Sequence, residues 1–339
     1  MAMSTASYPG GTASIVTSTN LDKFIPEIWS DEVIAAFKKR LVMGNLVSKM
    51  PFTGKKGDTL HIPMPTRGAA YAKAAGTAVT LQGNVESEIT VVVNKHYEYS
   101  RFIEDFAAVQ ALSSHRSFYT KDAGYQLAKQ IDFDLMKLGR VAFGGTDGGG
   151  TGDPASAANL DPYAAAYIGG DGATAYSSAS TGNATALTDA GIRRIIQRLD
   201  DADVPFEDRH LVIPPSAKNT LLGLSRFTEQ AFVGESASGN TIRNGQIGNI
   251  YGIDVYTTTN CEYAKVASGT AYPRIALMFH SDALVLAMQQ NIRTQTQYKQ
   301  EYLATLLTAD TIYGVKGIRT SSTSGAPNEA GYFAIAVPG

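Results

Sequence analysis

Any chemistry in this chain would fall to five histidines, one cysteine and two groups of aspartates, so their spacing decides what they can do. The histidines are His61, His96, His115, His210 and His280. No two stand at the spacing that puts a pair of imidazoles on one helix face, and none sits in His-Glu-x-x-His. An isolated imidazole of this kind is a structural side chain far more often than a catalyst. Asp132 and Asp134 are two apart on an expected helix, where they point in different directions and cannot work as a paired acid and base. The run Asp147-Gly148-Gly149-Gly150-Thr151-Gly152-Asp153 offers oxygens to Ca²⁺, but it lacks the EF-hand spacing and a closing Glu, and reads better as a loop. Cys261 stands alone, which excludes an intrachain disulfide framework and a multi-cysteine metal site; it reads as a small buried apolar residue. Neither Gly-x-x-x-x-Gly-Lys-[Ser/Thr] nor Gly-x-Ser-x-Gly occurs. The expectation is a protein that is not an enzyme, with no cofactor and no metal.

The composition agrees with that. At 339 residues the chain can fill two cores, or one core with large excursions. Hydrophobic content is 44%, charged content only 18%, and net charge −2. Such a balance gives much contact surface and no global field for nucleic acid. Residues 1–20 carry neither a basic n-region nor an apolar h-region, and no run approaches the roughly 18 apolar residues of a membrane span.

The elements that must position whatever this protein does are a mixture without strict βαβ alternation, which argues an α+β fold. A helix is expected from Pro26, with Trp29, Val33, Ile34 and Phe37 on its apolar face and Gly44-Asn45 as its stop. A second, from Phe118 to Ala142, has its stripe on Leu127, Ala128, Ile131, Leu135 and Leu138, with Asp122, Lys129, Asp132 and Lys137 on other faces. Thr188-Asp189 caps a third, carrying Ile192, Ile195, Ile196 and Leu199. Short strands are expected at His210–Ile213, on either side of Tyr251-Gly252, at Arg274–Phe279 and at Tyr332–Val337, and long ones from Met288 to Arg319. The last include an unusually polar ribbon over Arg293–Lys299. Residues 144–182, without Lys or Arg and dense in Gly, Ala, Ser and Thr, read as a surface loop.

One stretch asks for something outside itself. Leu60, Ile62 and Met64 alternate, Ile89, Val91 and Val93 repeat that period on the return, and Thr66–Gln82 between them has almost nothing large to bury. A hairpin like this is marginal alone in water. Another copy of the chain is the natural support, with Lys55, Lys56, Arg67, Lys73 and Lys95 as the arm's cations, largely offset by Asp58, Glu86 and Glu88. Exposed pairs to a neighbour's acids are worth under about 1 kcal/mol each.

Several phrases, in order over residues 24–337, resemble the major capsid proteins of tailed double-stranded DNA bacteriophages with the Hong Kong 97-like fold. Gly57-Asp58-Thr59-Leu60-His61-Ile62-Pro63 resembles the start of that family's E-loop, and Phe118–Arg140 its long spine helix. Asp203-Val204-Pro205-Phe206-Glu207-Asp208-Arg209-His210-Leu211-Val212-Ile213-Pro214-Pro215 is similar to the helix-to-strand step of the axial domain. Gln246-Ile247-Gly248-Asn249-Ile250-Tyr251-Gly252-Ile253-Asp254-Val255-Tyr256 is similar to the Gly-centred step after it. Ala309-Asp310-Thr311-Ile312-Tyr313-Gly314-Val315-Lys316 resembles the late return to the peripheral domain. The resemblance implies an N-terminal arm (1–25), an N-terminal helix region (26–53), an E-loop (54–95) and a peripheral domain with its spine helix (96–143). An insertion (144–186), an axial domain (187–287) and late β segments returning to the peripheral domain (288–339) follow.

By the same resemblance the chain forms hexamers and pentamers and closes an icosahedral capsid around double-stranded DNA. Its partners would be itself, a portal, a separate scaffolding protein (no scaffolding segment precedes the first helix) and a decoration protein, with no membrane. It would be made in the bacterial host cytoplasm and end in the virion capsid. Some relatives weld the shell by a Lys–Asn bond, for which Lys73 is the arm's candidate donor; no acceptor is identified and non-covalent closure is expected. The alternatives are another self-assembling shell, such as an encapsulin-like compartment, and a viral nucleic-acid-binding protein. Near-neutral charge weighs against the latter.

Overall fold

The computed structural model describes residues 38–51, 57–64, 70–79, 81, 83, 87–104, 115–139, 168–177, 182–224, 248–264, 266, 272–318 and 331–339. The expected N-terminal arm, the start of the helix from Pro26 and most of the Gly-rich insertion, with the Asp147–Asp153 run, lie outside these residues.

The elements run in order α1 (Met43–Leu46), β1 (Ser48–Pro51), β2 (Thr59–Met64), β3 (Ser87–Val92), β4 (Lys95–Glu104), α2 (His115–Lys137), β5 (Ile168–Gly169) and α3 (Asp189–Asp201). Then come β6 (Arg209–Ile213), α4 (Pro215–Leu222), β7 (Asn249–Ile250), β8 (Ile253–Thr257) and β9 (Arg274–His280). A 3₁₀ turn at Ser281–Ala283 leads to β10 (Leu284–Lys299), β11 (Ala304–Gly317) and β12 (Tyr332–Val337). No described helix is long and apolar enough to cross a membrane.

A six-stranded sheet, in the order β5-β12-β9-β6-β8-β7, forms one body. Its central strands are apolar on both sides because both faces are covered. On β9, Ile275, Leu277 and Phe279 face one core with Tyr332, Ala334 and Ala336 of β12. Ala276 and Met278 face the other, with Phe333, Ile335 and Val337, where Ile192, Ile195 and Leu199 of α3 and Leu221 of α4 cover them. The period of two along each strand therefore serves two cores at once. Thr188 caps α3 as expected, its hydroxyl accepting from the Gly191 N–H at 3.0 Å. At the sheet's edge, Tyr251 (φ 51°) and Gly252 (φ 82°) make the left-handed turn that joins β7 to β8.

The second sheet is four-stranded, in the order β1-β10-β11-β4, with β1 parallel to β10 and the rest antiparallel. On β4, Lys95, Tyr97 and Tyr99 are half-buried and His96, Glu98 and Ser100 exposed, the alternation expected of a sheet with one wet face. The register of β10 against β11 slips between Met288 and Gln290 and again before Arg293, so the ribbon is bulged where it leaves the body.

Helix α2 joins the two sheets. Its 23 residues span about 34 Å at 1.5 Å per residue. The apolar stripe expected of it holds only for the first half. From Ile131 to Gly139 every residue is buried, so Asp132 and Lys137 do not face solvent as their polarity implies. They persist because each is paired. Asp132 accepts from the backbone N–H of Val42 (3.0 Å) and Met43 (2.6 Å) and from Asn260 Nδ2 (3.1 Å), which ties α1 to the helix. Burial pushes its carboxyl upward, against those hydrogen bonds. Asp134 accepts from the Tyr313 hydroxyl (2.9 Å) and Gln130 Nε2 (3.0 Å), with the Lys95 and Lys137 ammonium groups at 3.4 and 3.6 Å. The two carboxylates do point apart, and each has a separate structural task.

Four expectations need correction. Gly44-Asn45 does not stop a helix; both residues lie inside the short turn Met43–Leu46, which Asp132 holds. The end of the low-charge insertion is not surface loop, because Ile168-Gly169 adds a buried strand parallel to β12. The late β segments do not travel together: β10 and β11 join the four-stranded sheet, while β12 pairs with β9 in the six-stranded one. That change of sheet follows burial, since all six β12 side chains are apolar and buried and need cover on both faces. The boundary at 287/288 also shifts, since β10 begins at Leu284.

Candidate assembly surface

The arm is an antiparallel pair whose register places Leu60 opposite Val91 and Ile62 opposite Ile89. Leu60 and Ile62 pack with Val91, Val93, Ala287 and Ile312, so its apolar face rests on the β10–β11 ribbon. Polar contacts fix the root there. The Val93 N–H donates to the Asp58 carbonyl at 2.7 Å, Gln289 Nε2 to the Gly57 carbonyl at 2.9 Å, and Lys316 Nζ to the Thr90 carbonyl at 2.7 Å. Gly314 allows this approach: a Cβ there would stand 2.4 Å from the Val92 carbonyl oxygen.

Beyond the root the arm touches little among the described residues. Residues 70–79 form no strand, only a turn in which Thr77 bonds back to the Ala74 carbonyl through its N–H (3.4 Å) and hydroxyl (2.8 Å). Tyr71, Val79 and Leu81 are 62%, 67% and 89% exposed. Across the pair, His61 Nδ1 and Glu88 Oε2 meet at 3.0 Å on the solvent side.

Of the five arm cations expected from sequence, Lys55, Lys56 and Arg67 lie outside the described residues. Lys73 is exposed on the span. Lys95 is placed differently: it opens β4, and its ammonium turns inward to Asp134 at 3.4 Å with 17% of the side chain exposed. It is a cation of the body, because a buried carboxylate beside it needs a counter-charge.

A second exposed surface was not anticipated. Where β4, β10 and β11 run out past the bulge, β10 is exposed from Asn291 to Tyr298 on both faces. Phe102, Tyr298, Tyr302 and Leu303 are 57%, 48%, 65% and 64% exposed there, with the Phe102 and Tyr302 rings 5.4 Å apart. Sequence reading saw the polar ribbon and passed over these apolar residues beside its turn. The available signal was Tyr302-Leu303 between two strand patterns, where polar turn residues are usual. At the neck of the ribbon Asp310 accepts from Arg293 through Nε (2.8 Å) and Nη2 (3.1 Å) and from Gln290 Nε2 (2.7 Å), with His96 Nε2 at 3.5 Å. The Arg293 hydrogen bonds hold the Asp310 carboxyl down at about 2.

Among the described residues no three of His, Cys, Asp and Glu converge as metal ligands. Burial pushes the Cys261 thiol up to about 12, far from a reactive thiolate.

Comparison with known proteins accords with a surface built for contact. No curated protein matches by sequence. Solved structures do match. The chain superposes on a Mycobacterium phage Che8 protein with TM-score 0.66 at 19% identity, covering 92% of this chain and 97% of that one. The capsid structure of cyanophage P-SCSP1u gives 0.65 at 17%, with 95% of each chain covered. The capsid of Ralstonia phage GP4 gives 0.62 at 16%, with 96% and 98% covered. The mixed helix-and-sheet fold is thus the Hong Kong 97-like fold of phage capsid subunits. A family model described as phage capsid protein matches residues 49–320, most of the chain, and on that match the protein belongs to the phage capsid protein family.

Proposed function

We propose that the protein is the structural subunit of a virion shell, assembling as hexamers and pentamers into an icosahedral capsid that encloses double-stranded DNA. The observation that carries this is the arm: anchored at its root on β10–β11, it exposes Tyr71, Val79 and Leu81 with no cover among the described residues. In this reading residues 54–95 are the E-loop, α2 is the spine helix, and the four-stranded and six-stranded sheets are the cores of a peripheral and an axial domain. The arm lies on a neighbouring copy, with Lys55, Lys56, Arg67 and Lys73 beside acidic groups there. Hexamers and pentamers differ by flexion beyond the anchored root, and contacts between copies close the shell without catalysis. A portal, a separate scaffolding protein and a decoration protein complete the particle, and synthesis takes place in the bacterial host cytoplasm. Family membership favours a virion shell over a cellular compartment.

Deleting residues 70–81 and joining the strands by a short turn tests it. Soluble subunits that no longer form closed particles by electron microscopy are expected. Particles of normal size and stability from the deleted chain refute the arm's role.

A further inference from the structure

A net charge of −2 conceals a local concentration of the opposite sign. Beside the middle of α2 lies a pocket of about 280 Å³ whose polar lining is Lys39, Gln126, Lys129, Gln130, Asn260 and Tyr263. Among the described residues no carboxylate lines it. Folding brings its cations together from distant parts of the chain. The Lys39 N–H donates to the Tyr125 hydroxyl at 2.8 Å, and the Lys38 ammonium sits 4.8 Å from the centre of the same ring. The Arg274 guanidinium sits over Tyr263, 3.8 Å from the ring centre, and donates to the Cys261 carbonyl at 3.3 Å. Asp132, buried on this helix and bonded to the lining residue Asn260, is also engaged by the backbone of Val42 and Met43. Partial desolvation where its side chain enters the pocket lowers the Lys39 ammonium, and the positive charges of Lys129 and Arg274 lower it further.

The strip continues on the other side of the same segment. Arg40 and Lys218 line a second concavity of about 330 Å³, where Asp254 is the one carboxylate among the lining residues. Lys38, Lys39 and Arg40 are exposed, and Lys129, Lys218 and Arg274 half-exposed. None of the large apolar side chains exposed among the described residues lines either hollow. A peptide partner would want such an anchor. A polyanion needs only cations and N–H donors, and carries no demand for base-edge contacts.

We propose that this strip, centred on Lys39 and Lys129, binds the phosphodiester backbone of double-stranded DNA without regard to sequence. The proposal rests on the shell reading for the source of that DNA, the enclosed genome. Near-neutral net charge rules out a global field for nucleic acid but says nothing about a local strip. One copy binds weakly, and many copies present the same strip to one polymer.

The test uses unassembled subunits and a fluorescent 20-base-pair duplex of random sequence, with anisotropy read across a salt series. The Lys39→Gln/Lys129→Gln double variant is compared with Arg193→Gln on α3 as a control. Each phosphate contact contributes about 0.9 to the slope of log affinity against log salt. Losing two is expected to lower the slope by about 2 and the affinity about 60-fold at 0.1 M salt. The control should leave both within twofold. Unchanged slope and affinity in the double variant, or no duplex binding by the parent, overturns the proposal. So does equal binding of polyglutamate at matched charge, which assigns the strip to an acidic protein. Electron microscopy of the parent protein reads the shell separately: duplex binding by a parent that forms no particles sinks the shell reading, and particles from a parent that binds no duplex sink this one.

Discussion

Leu81→Ser should separate the stability of the subunit from the stability of the shell. Leu81 is 89% exposed, so almost all of its side chain remains to be buried by something else. Fully burying a leucine is worth about 1.5–3 kcal/mol, so contact with a neighbouring copy gives about 2 kcal/mol per subunit. Serine forfeits that gain. Through the tenfold-per-1.4 kcal/mol relation, the concentration at which subunits condense into particles should rise about 30-fold. The folded subunit loses nothing it had, and substitution at so exposed a position should move its unfolding free energy by less than about 0.5 kcal/mol. The assay is a dilution series of purified protein followed by light scattering and electron microscopy, with urea unfolding of the unassembled subunit alongside. An unchanged threshold would show that Leu81 meets no neighbour. A subunit destabilised by the same amount would show that the side chain is used within its own chain, and the reasoning fails either way.

Other perturbations test the body that holds the arm. Asp134→Asn removes the buried carboxylate that the Lys95 and Lys137 ammonium groups face at 3.4 and 3.6 Å, at a cost of about 3–5 kcal/mol. For a chain of 339 residues that is a fall of about 6 °C in Tm by scanning calorimetry of the subunit; a loss under about 1 °C refutes the role. Asp310, held at about 2 against a usual 3.8, contributes stability that is complete above the usual value and lost as pH falls toward 2. Asp310→Asn should therefore flatten the acid limb of the stability profile in that window, and a limb identical to the parent's would be contrary. Gly314→Ala drives a methyl against the Val92 carbonyl and should cost about 1–3 kcal/mol. Limited proteolysis should then cut the arm first at its root; unaltered cleavage would place the anchor elsewhere.

What could be read in advance follows from where the energy is local. Thr188 at the start of α3 and the break between two short strands at Tyr251-Gly252 depend on neighbours in sequence, and both were legible. Helix α2 was legible only in part. Polarity put Asp132 and Lys137 in water, but their partners Val42, Met43 and Asn260, and Asp134 beside Lys137, are supplied largely by remote segments. The same applies to Lys95, whose charge fitted an arm until Asp134 appeared beside it. Strand membership was the hardest. Nothing local in Ile168-Gly169 or in Tyr332–Val337 says that they will lie side by side. The arm was visible because its lack of apolar residues is a property of the segment itself, whereas the basic strip was hidden because Lys39, Lys129 and Arg274 meet only after folding.

The placement of β12 has a consequence for the order of events during synthesis. Residues 332–337 emerge from the ribosome after every other strand of their sheet, yet they fill an interior position between β5 and β9. A nascent chain that has not reached them carries an open slot with an unpaired strand edge on each side. Such edges invite wrong pairings, and contacts this distant in sequence form slowly. The sheet cannot close until synthesis has passed residue 337, so prematurely terminated products should be caught by chaperones and proteases and kept out of assembly.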